Sequence, residues 1–148
     1  MASIPLDDFD RQLVAALSIN ARLSNLELAR SIPLSHSAIS RRIKRLEDGG
    51  VLTGYRALVN RAALGLGVRA FAGLARDNAT SLDDICNALK NLDEVASCWI
   101  VTGDHDIMIE ILACDLDHFA DIMLRKVQKV PGVAATRSTF VMTEIKQR

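Results

Sequence analysis

Apolar side chains recur at helical spacing over the first fifty residues and at alternate positions from residue 68 onward, so the chain changes its periodicity partway along. Phe9, Leu13, Ala16 and Leu17 make one stripe and predict a first helix, capped by Asp7 or Asp8 and ending near Asn20. Ser24 and Glu27 have the spacing of a capping box, in which the hydroxyl accepts from the Glu27 N–H and the carboxylate reaches back. A second helix of about two turns starts there, carries Leu28 and Ala29 inward, and stops before Pro33, whose ring disfavours helix at Ile32. Ser35 caps a third helix through Glu47 or Asp48, with Ile39, Ile43 and Leu46 inward and Gly49-Gly50 as the left-handed stop. Three helices, the last two joined by a short turn, follow the helix-turn-helix plan.

Residues 51–59 read as an extended connector or strand, and Asn60 caps a brief turn ended by Gly65. Val68, Ala70, Ala72 and Leu74 then form one side of a strand. Thr80 or Ser81 caps a helix carrying Ile85, Leu89 and Leu92, and residues 95–102 and 107–113 pair as a hairpin about Gly103-Asp104-His105-Asp106. A further helix begins at Asp115 with Leu116, Phe119, Met123, Val127 and Val130 inward and ends at Pro131-Gly132. The last strand is predicted over 133–145. The order βαββαβ is the ferredoxin-like arrangement, with both helices on one sheet face. The other face then needs cover, and a second copy of the chain is the expected source.

At 49% hydrophobic and 24% charged residues the composition is that of a globular protein. The formal net charge is zero, which by itself argues against a polyanionic partner. Cutting the chain after Arg61 reverses that inference: residues 1–61 hold nine basic against six acidic side chains (+3), and residues 62–148 hold nine against twelve (−3). The expected domains are therefore 1–61 and 62–148. Cys86, Cys98 and Cys114 are widely spaced with no CxxC pair, so neither a disulfide framework nor a zinc site is indicated and a cytoplasmic setting is expected. No apolar run is long enough to span a bilayer, and the acidic start is unlike a signal peptide.

The third helix carries the first candidate chemistry. Opposite its apolar stripe lie His36, Ser37, Ser40, Arg41 and Lys44, flanked by Arg42 and Arg45, a face that suits a DNA major groove. Ser35 belongs to the same candidate set, although capping is its simpler role. Arg42 and Arg45 could instead pair with Glu47 or Asp48. The second candidate is the hairpin turn: Gly103 lets a ligand approach the backbone, Thr102 offers a hydroxyl, and Asp104 and Asp106 could receive an ammonium group. Asp104-His105-Asp106 lacks further donors for a metal, and no metal or other cofactor is expected.

Leu6-Asp7-Asp8-Phe9-Asp10, Leu28-Ala29 to Leu34-Ser35, Arg42 to Glu47 with Gly50-Val51-Leu52, and Gly54-Tyr55-Arg56-Ala57 resemble the Lrp/AsnC family of prokaryotic transcription factors. Val95, Cys98, Val101 to Asp106 and Pro131-Gly132-Val133 continue the resemblance through the second half, so that it covers nearly the whole chain. Pro33 departs from it, since many members carry Gly there. The resemblance implies an α+β protein, a winged helix-turn-helix domain joined to a ferredoxin-like domain that dimerises and commonly assembles four dimers into an octamer. It further implies an effector, an amino acid or related metabolite, bound near Val101, Thr102, Gly103, Asp104, His105 and Asp106. The function expected is a DNA-binding regulator that responds to that effector and binds no membrane. Two alternatives are a sirohaem decarboxylase, as in a branch similar to this family, and a metabolite-binding module without DNA binding. The chain shows no nucleophile motif or paired acid–base set, so an enzyme is not expected.

Overall fold

The computed structural model describes residues 4–145; residues 1–3 and 146–148, the outer ends of the two expected domains, lie outside the described residues. The chain divides into two compact units between Leu58 and Val59. In the first, α1 (Asp8–Ile19), α2 (Asn25–Ser31) and α3 (His36–Asp48) begin where side chains satisfy their first backbone N–H groups. Asp7 and Asp10 form one capping box, Ser24 and Glu27 a second, and the Ser35 hydroxyl accepts from the Ala38 N–H at 3.3 Å. Gly50, with φ of 68°, takes the left-handed position after α3.

Leu13, Leu17, Leu28, Ile32, Ile39 and Leu46 are buried together, two from each helix or its edge, and burial of each is worth about 1.5–3 kcal/mol. Ile32 is the last apolar anchor before Pro33, so the turn into α3 spans only a few residues. No strand forms over residues 51–60, which makes this segment an extended connector. Its Tyr55 hydroxyl donates to Glu47 Oε1 at 2.7 Å and ties it to the end of α3.

The second unit opens with a single 3₁₀ turn, Ala62–Leu64, to which the Asn60 carboxamide contributes a cap and Gly65 a left-handed exit. Strands β1 (Val68–Arg76), β2 (Val95–Ile100), β3 (Ile107–Ala113) and β4 (Val133–Phe140) form an antiparallel sheet in the order β2-β3-β1-β4. Helices α4 (Leu82–Lys90) and α5 (Leu116–Asp121) complete the βαββαβ order. Ala70, Ala72, Leu74, Ile107, Ile109 and Ile111 pack with Ile85, Leu89, Phe119, Ile122 and Val127 in one core.

Two expectations are corrected here. The last strand ends at Phe140 rather than near residue 145. Leu116, placed inward by spacing, is 62% exposed, whereas Ile122 is buried. Beyond Asp121 the helix loosens into a π turn over Ile122–Lys126, and the added residue per turn brings Ile122 and Met123 inward together.

The opposite sheet face carries Arg69, Phe71, Gly73 and Ala75 from β1, Met108, Glu110 and Leu112 from β3, and Trp99 from β2. The Phe71 and Trp99 rings lie 6.4 Å apart on it, and Trp99 is 44% exposed. Among the described residues no helix is long and apolar enough to cross a membrane.

Candidate functional site

Helix α3 sorts its polar residues by what already holds them. His36, Ser37, Ser40, Arg41 and Lys44 are exposed on the side away from Ile39 and Leu46. Ser35 Oγ is occupied as the cap and lies 3.2 Å from Ser37 Oγ. No acidic residue stands in the first turn to repel a phosphate. Arg41 enters no ion pair among the described residues, and Lys44 makes only a surface pair with Asp48 at 3.3 Å, both side chains being largely exposed.

Arg42 and Arg45 are placed differently. Arg42 donates to Asp7 Oδ2 at 2.7 Å and to Asp10 Oδ1 at 2.8 Å, with its guanidinium 5.6 Å from the centre of the Phe9 ring. Arg45 donates to the other oxygen of Asp10. Their partners are thus on α1 and its cap, not Glu47 or Asp48, because Glu47 receives Tyr55 and Asp48 receives Lys44. The Asp10 N–H and the Arg42 guanidinium together hold the Asp7 carboxyl below its usual range, and the hydrogen bonds of Arg42 to the Asp7 and Asp10 carboxylates raise Arg42.

The hairpin turn of the second unit closes on Asp106. Its carbonyl accepts from the Val101 N–H at 3.0 Å, its own N–H donates to the Leu74 carbonyl at 3.0 Å, and its carboxylate accepts from the Arg76 N–H at 2.9 Å. These bonds pin the turn to the end of β1 and leave Asp106 with a partner already in place. Gly103 takes φ of 116°, a conformation that a side chain would strain. The His105 ring lies directly over Gly73, where an added Cβ would overlap it.

An open cavity of about 390 Å³ adjoins this turn, lined by Gly73, Ala75, Asp104, His105, Ala135, Thr136 and Arg137. Of the six turn residues singled out from the sequence, Asp104 and His105 reach its wall, while Val101, Thr102, Gly103 and Asp106 do not line it. Gly73 and Arg137, which face each other in the β1–β4 register, were not foreseen. A glycine inside an alternating strand is the available signal, since it marks a close approach. The cavity therefore has an anionic side chain at Asp104 and a cationic one at Arg137, with small residues between.

Among the described residues, Glu110 is the charged residue of this unit that is buried, at 5% exposure. Arg69 Nε donates to it at 2.7 Å, Arg61 lies 3.0 Å away, and the Ser97 hydroxyl donates at 3.2 Å. Burial pushes the Glu110 carboxyl up, but the Arg69 hydrogen bond and the charges of Arg69 and Arg61 outweigh it and hold the group below the usual range.

Two family models match the chain: the AsnC-type helix-turn-helix domain over residues 6–47 and the Lrp/AsnC ligand binding domain over residues 69–148. The leucine-responsive regulatory protein of Haemophilus influenzae is 33% identical over 96% of this chain and 87% of its own length. Among solved structures, a transcriptional regulator from Neisseria meningitidis in complex with L-methionine superposes with a TM-score of 0.92 at 33% identity, covering 97% of this chain and 94% of that one. A feast or famine regulatory protein from M. tuberculosis, also complexed with L-methionine, gives 0.90 at 32% identity and covers 97% and 96%.

Proposed function

The chain belongs to the Lrp/AsnC family, and from that premise we propose that it is a DNA-binding transcription regulator whose binding or assembly responds to an amino acid. The observation that carries the DNA half is the exposed face of α3, where Arg41 and Lys44 follow the small hydroxyls of Ser37 and Ser40. Hydroxyls and His36 approach base edges, and the cations hold phosphates or a guanine. The DNA-binding part together with its linker spans 1–61 and the effector part 62–148. In a dimer formed through the outward sheet faces, two copies of α3 meet successive major grooves about 34 Å apart. Association of four dimers into an octamer is the further assembly this reading includes, and the cytoplasm is where its target lies.

The effector half rests on the cavity beside the hairpin turn. Asp104 and Arg137 supply opposite charges across it, the complement of a zwitterion, and two structural relatives were solved with L-methionine. Asp104 meets the ammonium group and Arg137 the carboxylate, with His105 and Gly73 shaping the space for a side chain.

A thermal-shift screen of the common amino acids tests this half, since a ligand that binds only the folded protein raises its melting temperature. Arg137→Ala is expected to abolish the shift while leaving DNA affinity in the absence of amino acid unchanged. A full shift in that variant would remove the cavity from the proposal.

A further inference from the structure

Burying a charged carboxylate is costly unless it is paired, and removal of one partner leaves the rest uncompensated. The Asp10 side chain is fully buried, yet it lies on α1, at the start of a small unit with ample solvent nearby. Its Oδ2 accepts from the Asp7 N–H at 3.0 Å, its Oδ1 takes Arg42, and Arg45 completes it. With Asp7 on the outer side of Arg42, two carboxylates and two guanidiniums cancel at the junction of α1 and α3. An apolar residue at position 10 would seal this junction without any such arrangement. What the arrangement adds is direction: Arg42 and Arg45 are fixed on the inner and flanking side of α3, and their charges are spent before any phosphate arrives.

We infer that Asp10 is the positioning residue of the DNA-reading helix, setting its orientation through Arg42 and Arg45 and withdrawing both from DNA, so that Arg41 and Lys44 are its working cations. The inference rests on the DNA-binding function proposed above. It divides a cluster of four adjacent cations that the sequence presents as equivalent. Arg42 is held at two points and shielded by Phe9, whereas among the described residues Arg41 enters no ion pair and Lys44 has only a surface partner that phosphate can replace.

The test is a salt series of equilibrium binding, with two duplexes as probes: one selected from a random pool by the wild-type protein, and one of mixed sequence. Arg41→Ala and Lys44→Ala are each expected to flatten the dependence of log K on log salt by about 0.9, one phosphate contact apiece. Arg45→Ala, which leaves Asp10 its pair with Arg42, is expected to leave the slope unchanged. Asp10→Asn releases Arg45 and leaves Arg42 only its half-exposed partner Asp7, and is expected to steepen the slope on mixed-sequence DNA while lowering the preference for the selected duplex. Circular dichroism establishes that each variant is folded.

If Arg45→Ala flattens the slope as much as Arg41→Ala does, the division of the cluster is wrong. If folded Asp10→Asn keeps its slope and its preference, Asp10 has no positioning role. Should Asp10→Asn fail to fold, Asp7→Asn, which removes only the half-exposed outer carboxylate, takes its place with the same expected direction. Unchanged slopes in Arg41→Ala and Lys44→Ala would instead overturn DNA contact by α3, a separate failure.

Discussion

Asp10 in the helical unit and Glu110 in the sheet unit are the two charged residues buried among the described ones, and each is held by two arginines. The partners of Asp10 come from a single helix, one turn apart, and the carboxylate also closes a helix cap. The partners of Glu110 come from three places: Arg69 on β1, Arg61 before it, and Ser97 on β2. Pairing through one neighbour fixes the angle and face of that neighbour. Pairing through three elements instead ties a strand, the segment leading into the sheet and the adjoining strand, with no single face selected. The setting differs as well. Glu110 lies on the outward sheet face beside Phe71, Trp99 and Met108, where an unneutralised charge would oppose packing by a second copy. The same chemistry thus orients a polar surface in one unit and makes an apolar surface fit for contact in the other.

The largest test of this contrast is to remove each acid. Asp10→Ala and Glu110→Ala each leave two arginines without their buried partner, at a cost of about 3 kcal/mol. The two units have separate cores, so the costs are expected to separate. Trp99, the single tryptophan, reports the sheet unit, and far-ultraviolet ellipticity is weighted toward the helices α1 to α3. In urea, Asp10→Ala is expected to advance loss of ellipticity and Glu110→Ala the change in Trp99 emission. Equal displacement of both signals by either variant would mean that the buried acids do not act within their own units. Gln keeps the volume of Glu110 and an oxygen that can accept from Arg69, so Glu110→Gln is expected to cost less than Glu110→Ala.

Local signals in the sequence account for most of the fold. The caps Asp7, Ser24 and Ser35 fix where the helices start, and the alternation of Ile107, Ile109 and Ile111 fixes the buried side of β3. What was not legible depends on contacts distant along the chain. Asp10 read as one acid of an acidic start and Glu110 as the polar member of an alternating strand. Their partners lie 35 and 41 residues away, outside any periodic window. Arg137 joins the cavity only through its register with Gly73, which no local pattern specifies. Leu116 misled for a related reason, since spacing puts it on the face of Phe119 but it stands in the first turn of α5, and periodicity does not say how far along the helix the sheet covers that face. The sequence presents Arg41, Arg42, Lys44 and Arg45 as one cluster, and only the folded arrangement separates them.

Acid titration probes both clusters at once with a smaller effect. Asp7 and Glu110 have folded values below those of the unfolded chain, ordinarily 3.8 and 4.5. A depressed carboxyl contributes stability that is present above its unfolded value and is lost as pH falls through its folded one. The loss is therefore expected to begin near pH 4.5 in the sheet unit and nearer 3.8 in the helical unit. Glu110→Gln should flatten the Trp99 curve as pH falls below 4.5, without altering the ellipticity curve. A Gln variant whose acid sensitivity matched that of the wild type would show that Glu110 is not the group responsible.

The smallest effect separates charges that are spent inside a unit from those left at its surface. Lys44 and Asp48 are an exposed pair at helical spacing, and such pairs contribute at most about 0.5 kcal/mol. Asp48→Asn is accordingly expected to shift the urea midpoint hardly at all. It removes a negative charge beside the DNA-facing cations, however, and releases Lys44, so DNA affinity at low salt should rise modestly and the gain should vanish at high salt as screening takes over. Asp7→Asn, which disturbs the internal cluster, should by contrast lower stability measurably and weaken discrimination between duplexes. The pair of variants each removes one exposed or half-exposed carboxylate of the same unit, so a difference between them reports the connectivity of the charge rather than its presence. If Asp48→Asn and Asp7→Asn behaved alike in both assays, net charge alone would explain DNA binding and the fixed geometry around Asp10 would be irrelevant to it.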